Sequence, residues 1–300
     1  MVRIFAALIL AIATTPMAAA REKDPPAPAP ALWKVSDGDS EIYLFAAAPF
    51  LPAGGAWRSR AVATAIDRSE TIVFEAPSAD PDARAAAEKI FQDAGRYADG
   101  KTLPAALGSA GAAGLATAAT ALGVDAAAFD ALKPWAAFVV LSAEFDHKRG
   151  ADPAAGVEMG VLVEAIGRQR PVRFLDTVDG ALRVLTEMPE EDQRALLAFF
   201  LADWPRQDAE APATYELWRS GDADSLAAQT QLPLKAAAPG AYERLISARA
   251  DLLAGRIGAL LDFPDEAFVC LGAALIVGPD GVAAGLAERG FAVERLDVPR

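Results

Sequence analysis

The 300-residue chain holds a single histidine, His147, and a single cysteine, Cys270. One histidine excludes any site built on paired imidazoles within a chain. A Ser-His-Asp arrangement would have to recruit His147, which stands in the charged run Glu144-Phe145-Asp146-His147-Lys148-Arg149 and reads as a solvated helix end. One cysteine excludes an intrachain disulfide, and its setting, Phe268-Val269-Cys270-Leu271, marks a small buried hydrophobe rather than a nucleophile. Positive charge is also scarce. Lys and Arg number 28 against 41 Asp and Glu, for a formal net charge of -13. That balance argues against nucleic acid, whose phosphates need a basic patch, and against anionic lipid surfaces. The chain lacks a G-x-S-x-G elbow, a phosphate-binding G-x-x-x-x-G-K-S/T loop and a dinucleotide fingerprint after a strand.

What is present begins with an export-like start. Arg3 precedes an apolar run over 4–13, and Ala18-Ala19-Ala20 offers small residues for cleavage between Ala20 and Arg21. The run of about ten residues falls short of the roughly 20 needed to span a bilayer. A Sec-type cleavable signal peptide is therefore expected over 1–20, a disordered Pro- and Ala-rich leader over 21–30, and one domain over 31–300. The expected location is periplasmic or secreted, with no stable membrane insertion after cleavage. The richest later apolar stretches, 135–141 and 195–202, are short and flanked by charge.

With 53% hydrophobic residues the chain can bury a large core. Apolar segments 31–35 and 42–45 flank Asp37-Gly38-Asp39-Ser40, a strand, turn, strand pattern. Ser59 can cap a helix reaching Arg68, and a β-branched strand over 71–74 ends on Glu75. The middle reads as helical. Asp80-Pro81 opens a helix to Ala94, the Ala- and Gly-rich stretch 105–121 forms another, and Asp125 and Pro134 start two more. Residues 156–167 continue the helical pattern, 171–175 break it with a strand, and Thr177 caps the next helix. A helix from Glu190 is expected to end near Trp204, a looser stretch covers 233–239, and an amphipathic helix spans 242–261. The end returns to strand (268–271), helix (279–288) and strand (291–296). Strand-rich ends thus bracket a helical middle, an α/β (α+β) chain whose ends meet in one mixed central sheet. The five tryptophans, at 33, 57, 135, 204 and 218, read as core.

Several segments together resemble the TraB/GumN (TraB/PrgY/GumN, Tiki-like) family. They are Ala31-Leu32-Trp33-Lys34-Val35, Ile42-Tyr43-Leu44-Phe45, Leu51-Pro52 with Trp57-Arg58, Leu132-Lys133-Pro134-Trp135-Ala136, Pro171-Val172-Arg173-Phe174-Leu175-Asp176-Thr177 and Gly278-Pro279-Asp280-Gly281 through Val293-Glu294-Arg295-Leu296. The resemblance implies an EreA/ChaN/Tiki-like fold of two related α/β halves with a site at the strand ends between them. It also implies a metal held by two G-x-x-H motifs and a glutamate. Carried over, the first motif falls on Ala46-Ala47-Ala48-Pro49 and the second on Gly272-Ala273-Ala274-Leu275, so Pro49 and Leu275 stand where histidines would. Glu75 matches the glutamate, and Arg249-Ala250 stands where the family tends to carry an Arg-Asn pair.

These replacements imply a catalytically degenerate protein that acts as a binding or accessory module, with no metal or other cofactor expected. A protein or envelope-polymer partner and a role in envelope or polysaccharide biosynthesis follow from the resemblance alone. The alternative is a hydrolase or peptidase in which Glu75 and Asp176 act as acid and base, or bind a divalent metal through non-histidine ligands. A further alternative is an inert subunit of an active homologue. Each carboxylate also has a structural reading: Glu75 as a strand-end remnant paired with Arg173, and Asp176 as a residue leading into the helix capped by Thr177. The alanines 46–48 are expected to pack tightly beside the sheet and close the cleft.

Overall fold

The structure is a computed structural model, described here for residues 27–48, 51, 55–98, 100–151, 155–263 and 265–296. The segment 1–20 expected to be a signal peptide, the expected cleavage residues Ala20 and Arg21, and Pro49 lie outside the described residues.

Strands β1 (Leu32–Ser36) and β2 (Glu41–Ala47) form the expected hairpin, with Asp37 Oδ1 accepting from Ser40 N at 3.3 Å across the turn. Gly38 takes φ 128° there, a conformation a side chain would resist. Helix α1 (Arg60–Arg68) is capped by Ser59, whose Oγ accepts from Val62 N at 3.1 Å. Strand β3 (Thr71–Phe74) follows, and α2 (Pro81–Ala94) starts from the Asp80 cap with proline in the first turn. Both helix starts are local chemistry: a short oxygen side chain satisfies N–H groups that the first turn cannot pair.

The helical middle comprises α3 (Leu103–Leu122), α4 (Pro134–Lys148), α5 (Val157–Gly167), α6 (Val178–Thr186) and α7 (Glu190–Ser220), with strand β4 (Val172–Phe174) between α5 and α6. Asp125 opens only a single 3-10 turn, Ala126–Phe129, rather than the expected helix. The other departures lie further along. Helix α7 does not stop near Trp204 but runs for 31 residues through Pro205 and Pro212. Each proline costs about 3 kcal/mol in a helix interior. Burial of Leu196, Leu197, Phe200, Ala211 and Trp218 along α7 outweighs that cost. The stretch read as loose is instead short helices, α8 (Ala223–Thr230), α9 (Leu232–Ala237) and α10 (Pro239–Tyr242). The amphipathic stretch beyond them is split into a π-type turn, Glu243–Ser247, and α11 (Ala248–Gly258). Strand β5 (Ala267–Gly272), the one-turn α12 (Ala273–Ile276), α13 (Val282–Glu288) and β6 (Ala292–Leu296) complete the order.

Among the described residues the strands form one mixed sheet, ordered β4-β3-β5-β2-β1-β6. Strands β4, β3, β5 and β2 are parallel, so their carboxyl ends share one edge, while β1 runs antiparallel to both its neighbours. Every residue of β3 is buried and nearly every one of β2 and β5, as parallel strands covered on both faces require. Cys270 lies fully buried in β5, as its apolar setting indicated. A second cluster joins Leu103, Leu115, Phe129, Trp135, Leu141, Phe145, Leu197 and Phe200 between α3, α4 and α7. Trp33, Trp135 and Trp218 are buried, and Trp57 and Trp204 pack against the clusters.

One helix among the described residues, α3, is long and apolar enough by length and composition to cross a membrane, with mean hydropathy 1.3 over its best window. Its Ala- and Gly-rich sequence hid that property from a search for large aliphatic runs. The helix is kinked at Gly108, and Leu103, Leu115 and Ala119 anchor it in the second cluster.

Candidate functional site

The parallel strands deliver four segments to one edge of the sheet. Ala47 of β2 lies opposite Gly272 of β5, and Phe74 of β3 lies opposite both Cys270 of β5 and Phe174 of β4. Glu75 directly follows β3, and Asp176 follows β4, with Asp176 N donating to Glu75 O at 2.7 Å. The crevice outside such carboxyl ends is where open α/β sheets place their ligands.

Glu75 and Asp176 meet there through Arg249 of α11. Its Nε and Nη2 donate to Glu75 Oε1 at 2.9 and 2.7 Å, and its Nη1 donates to Asp176 Oδ2 at 2.5 Å. Arg256, two turns further along α11, pairs with Asp176 Oδ1 at 2.8 Å and donates to Leu175 O at 2.6 Å. Thr177 N also donates to Asp176 Oδ1, at 2.9 Å, while Thr177 Oγ1 caps α6. The expected partner of Glu75, Arg173, is not the one observed: Arg173 lies within β4, and Arg249 reaches Glu75 instead. Burial pushes the Asp176 carboxyl up, but the hydrogen bonds from Arg256 and Arg249 outweigh it and hold the group below its usual range. Arg249 is 4% exposed, yet the two carboxylates keep it firmly charged.

Sequence reading missed a third acid. Glu158, in the first turn of α5, lies within electrostatic reach of Glu75, and burial together with the Glu75 charge pushes its carboxyl up to about 7. It lines a cavity of about 320 Å³ with Phe74, Phe174, Met159, Leu162 and Asp80. Its signal in the sequence was an acid embedded in an apolar helix, Val157-Glu158-Met159-Gly160-Val161-Leu162.

The motif segments form walls rather than ligands. Ala46 is fully buried, and its carbonyl accepts from Trp218 Nε1 at 2.9 Å. Leu275, on α12, packs against the main core. Ala47, Ala48, Gly272, Ala273 and Ala274 line a second, larger cavity of about 990 Å³ beneath α4 and α7. Ala46 and Ala47 pack fully buried beside the sheet, as expected, while Ala47 and Ala48 also border the larger cavity.

The metal that the resemblance implies does not fit these residues. The guanidinium of Arg249 already stands between Glu75 and Asp176, so a divalent cation there would face a fixed positive charge. No group of three His, Cys, Asp or Glu side chains able to share an ion occurs among the described residues. His147 lies exposed in the last turn of α4.

No curated protein and no solved structure matches the chain. The profile of the TraB/PrgY/gumN family matches residues 31–295, and the chain belongs to that family.

Proposed function

We propose that the chain is an extracytoplasmic, catalytically degenerate member of its family that works by binding rather than by hydrolysis. The observation that carries this reading is the state of the two strand-end acids, Glu75 and Asp176, which share the guanidinium of Arg249. Both oxygens of Asp176 are taken, one by Arg249 and one by Arg256, while the motif segments contribute aliphatic walls. A carboxylate locked between two guanidiniums is a poor proton acceptor at neutral pH. The large cavity over the strand ends supplies a place for a ligand. Export is supported by the signal-like segment 1–20. An accessory role beside envelope polymers, with a protein or polymer partner, rests on family resemblance. A peptidase assay on the purified protein tests the reading, run with and without added Zn, Mn or Co and repeated on Glu75→Ala. Background turnover unchanged by the substitution is expected. Peptide cleavage that disappears in Glu75→Ala overturns it.

Glu158 favours a second reading, a hydrolase working without a metal. A carboxyl pushed up to about 7 with a second carboxyl, Glu75, within electrostatic reach is the kind of pair general acid–base catalysis uses. In that case Glu158→Gln abolishes turnover while leaving the fold intact.

A further inference from the structure

The larger cavity has a chemical character that neither the ion network nor the motif segments explain. Helix α4 presents Phe138, Ser142, Phe145 and Asp146 to it, spaced as one helical face. Phe200 of α7 packs edge-on against Phe138 and Phe145 at 5.8 and 6.0 Å, and Trp218 further along α7 also lines the cavity. Within this aromatic lining, Ser142 Oγ is buried and has no hydrogen-bond partner among the described residues. Burying such a hydroxyl unpaired is costly. One turn further along, the Asp146 carboxylate makes no hydrogen bond or ion pair among the described residues, and burial raises its pKa against the pull of Arg149. The other charges around the cavity are mostly acidic. Asp203 and Glu210 are already bridged by Arg206, and Glu216 is paired with Arg219.

We infer that this cavity binds an amphiphile whose apolar body lies among the aromatic side chains and whose ammonium group is held by Asp146. The volume of about 990 Å³ accommodates a molecule of that kind, at the upper end of the roughly 300–1,000 Å³ usual for ligand pockets. Arg149 lines the same cavity and acts on the Asp146 carboxylate only through its field, so an ammonium would give that carboxylate the direct ion pair and hydrogen bond it lacks. An anionic head group would meet Asp146 and an acidic rim, so fatty carboxylates are the disfavoured class. Arg149 already covers the Phe145 ring at 4.9 Å, so the aromatic faces left to a ligand are those of other side chains such as Trp218. The inference rests on the binding reading above and gives it a ligand class.

The test is fluorescence titration of the purified protein with N-phenyl-1-naphthylamine, a neutral apolar probe, followed by displacement with decylamine, decanol or decanoate at pH 7.5. Saturable probe uptake is expected. Decylamine should displace the probe at a concentration about tenfold below that of decanoate, with decanol between them. Asp146→Asn should bring decylamine and decanoate within about twofold of each other. Gly272→Phe should reduce probe uptake, and a side chain there begins in open space, since an added Cβ meets no atom within 4 Å. Circular dichroism confirms that both variants fold. Absence of saturable uptake, equal displacement by decanoate, or unchanged selectivity in Asp146→Asn overturns the inference. Glu75-dependent peptide cleavage would instead overturn the proposed function, and the displacement series reads independently of it.

Discussion

Arg249 donates to Glu75 through two nitrogens, Nε at 2.9 Å and Nη2 at 2.7 Å, both ending on the same carboxylate oxygen. The pair joins α11 to the end of β3 across 174 residues of sequence, and the same guanidinium extends to Asp176 at the end of β4. Replacing Arg249 with Met leaves two neighbouring carboxylates without their shared counter-charge. Breaking a buried pair from one side costs about 3 kcal/mol. Thermal or urea denaturation of Arg249→Met should show a loss of that order, and adding Asp176→Asn should recover part of it. A loss below about 0.5 kcal/mol would mean that the network is not structural.

Gly180 gives a sharper local check. Alanine usually stabilises an exposed helix position over glycine by about 1 kcal/mol. Here an added Cβ would lie 2.3 Å from Asp176 Oδ1, and that carboxylate is held by Arg249, Arg256 and Thr177. Gly180→Ala should therefore destabilise the protein in urea unfolding, reversing the usual sign. The effect should vanish when Asp176 is also changed to Ala.

Glu158 predicts a pH dependence. Its pKa rises from 4.5 to about 7 on folding, so the folded state holds a proton that the unfolded chain releases first. Its contribution is fully present below pH 4.5 and is lost as pH rises through 7, leaving a cost of roughly 3 kcal/mol at neutral pH. Glu158→Gln should remove that slope, so the variant gains stability relative to the parent as pH rises across this window. Parallel stability curves for the two proteins from pH 4.5 to 7.5 would contradict the assignment.

Gln231 tests how the second motif segment is held. Its side chain is buried, and Nε2 donates to Ala274 O at 2.8 Å and Val277 O at 3.1 Å, fixing both ends of α12. Gln231→Leu keeps the volume but strands two carbonyls, at a cost of about 2 kcal/mol. Hydrogen exchange should rise across 273–277 in this variant, and unchanged protection there would mean that α12 is held by packing alone.

Much of the sheet was legible because its signals are local. Ser59 and Asp80 announce helix starts through their own oxygens, and β2, β3 and β5 carry the apolar runs of covered strands. Glu75 and Asp176 were legible as strand-end acids, though their common partner was not. Arg249 lies 73 residues beyond Asp176, and only the fold brings them together. The length of α7 was hidden by Pro205 and Pro212, which stop a helix unless burial elsewhere compensates. Glu158 was passed over because an acid in the first turn of a helix usually answers the dipole, and its desolvation comes from tertiary packing. The open cavity was missed for a related reason. Small residues at 46–48 promise close packing, but the space above them depends on where α4 and α7 lie.

The central claim is that arginine, not a metal ion, supplies the positive charge at the strand ends. Equilibrium dialysis of the purified protein against Zn, Mn and Co, followed by mass-spectrometric metal counting per chain, tests it most directly. The account predicts well under one ion per chain, with no difference between the parent and Glu75→Ala. One tightly held ion per chain, lost in Glu75→Ala, would contradict it.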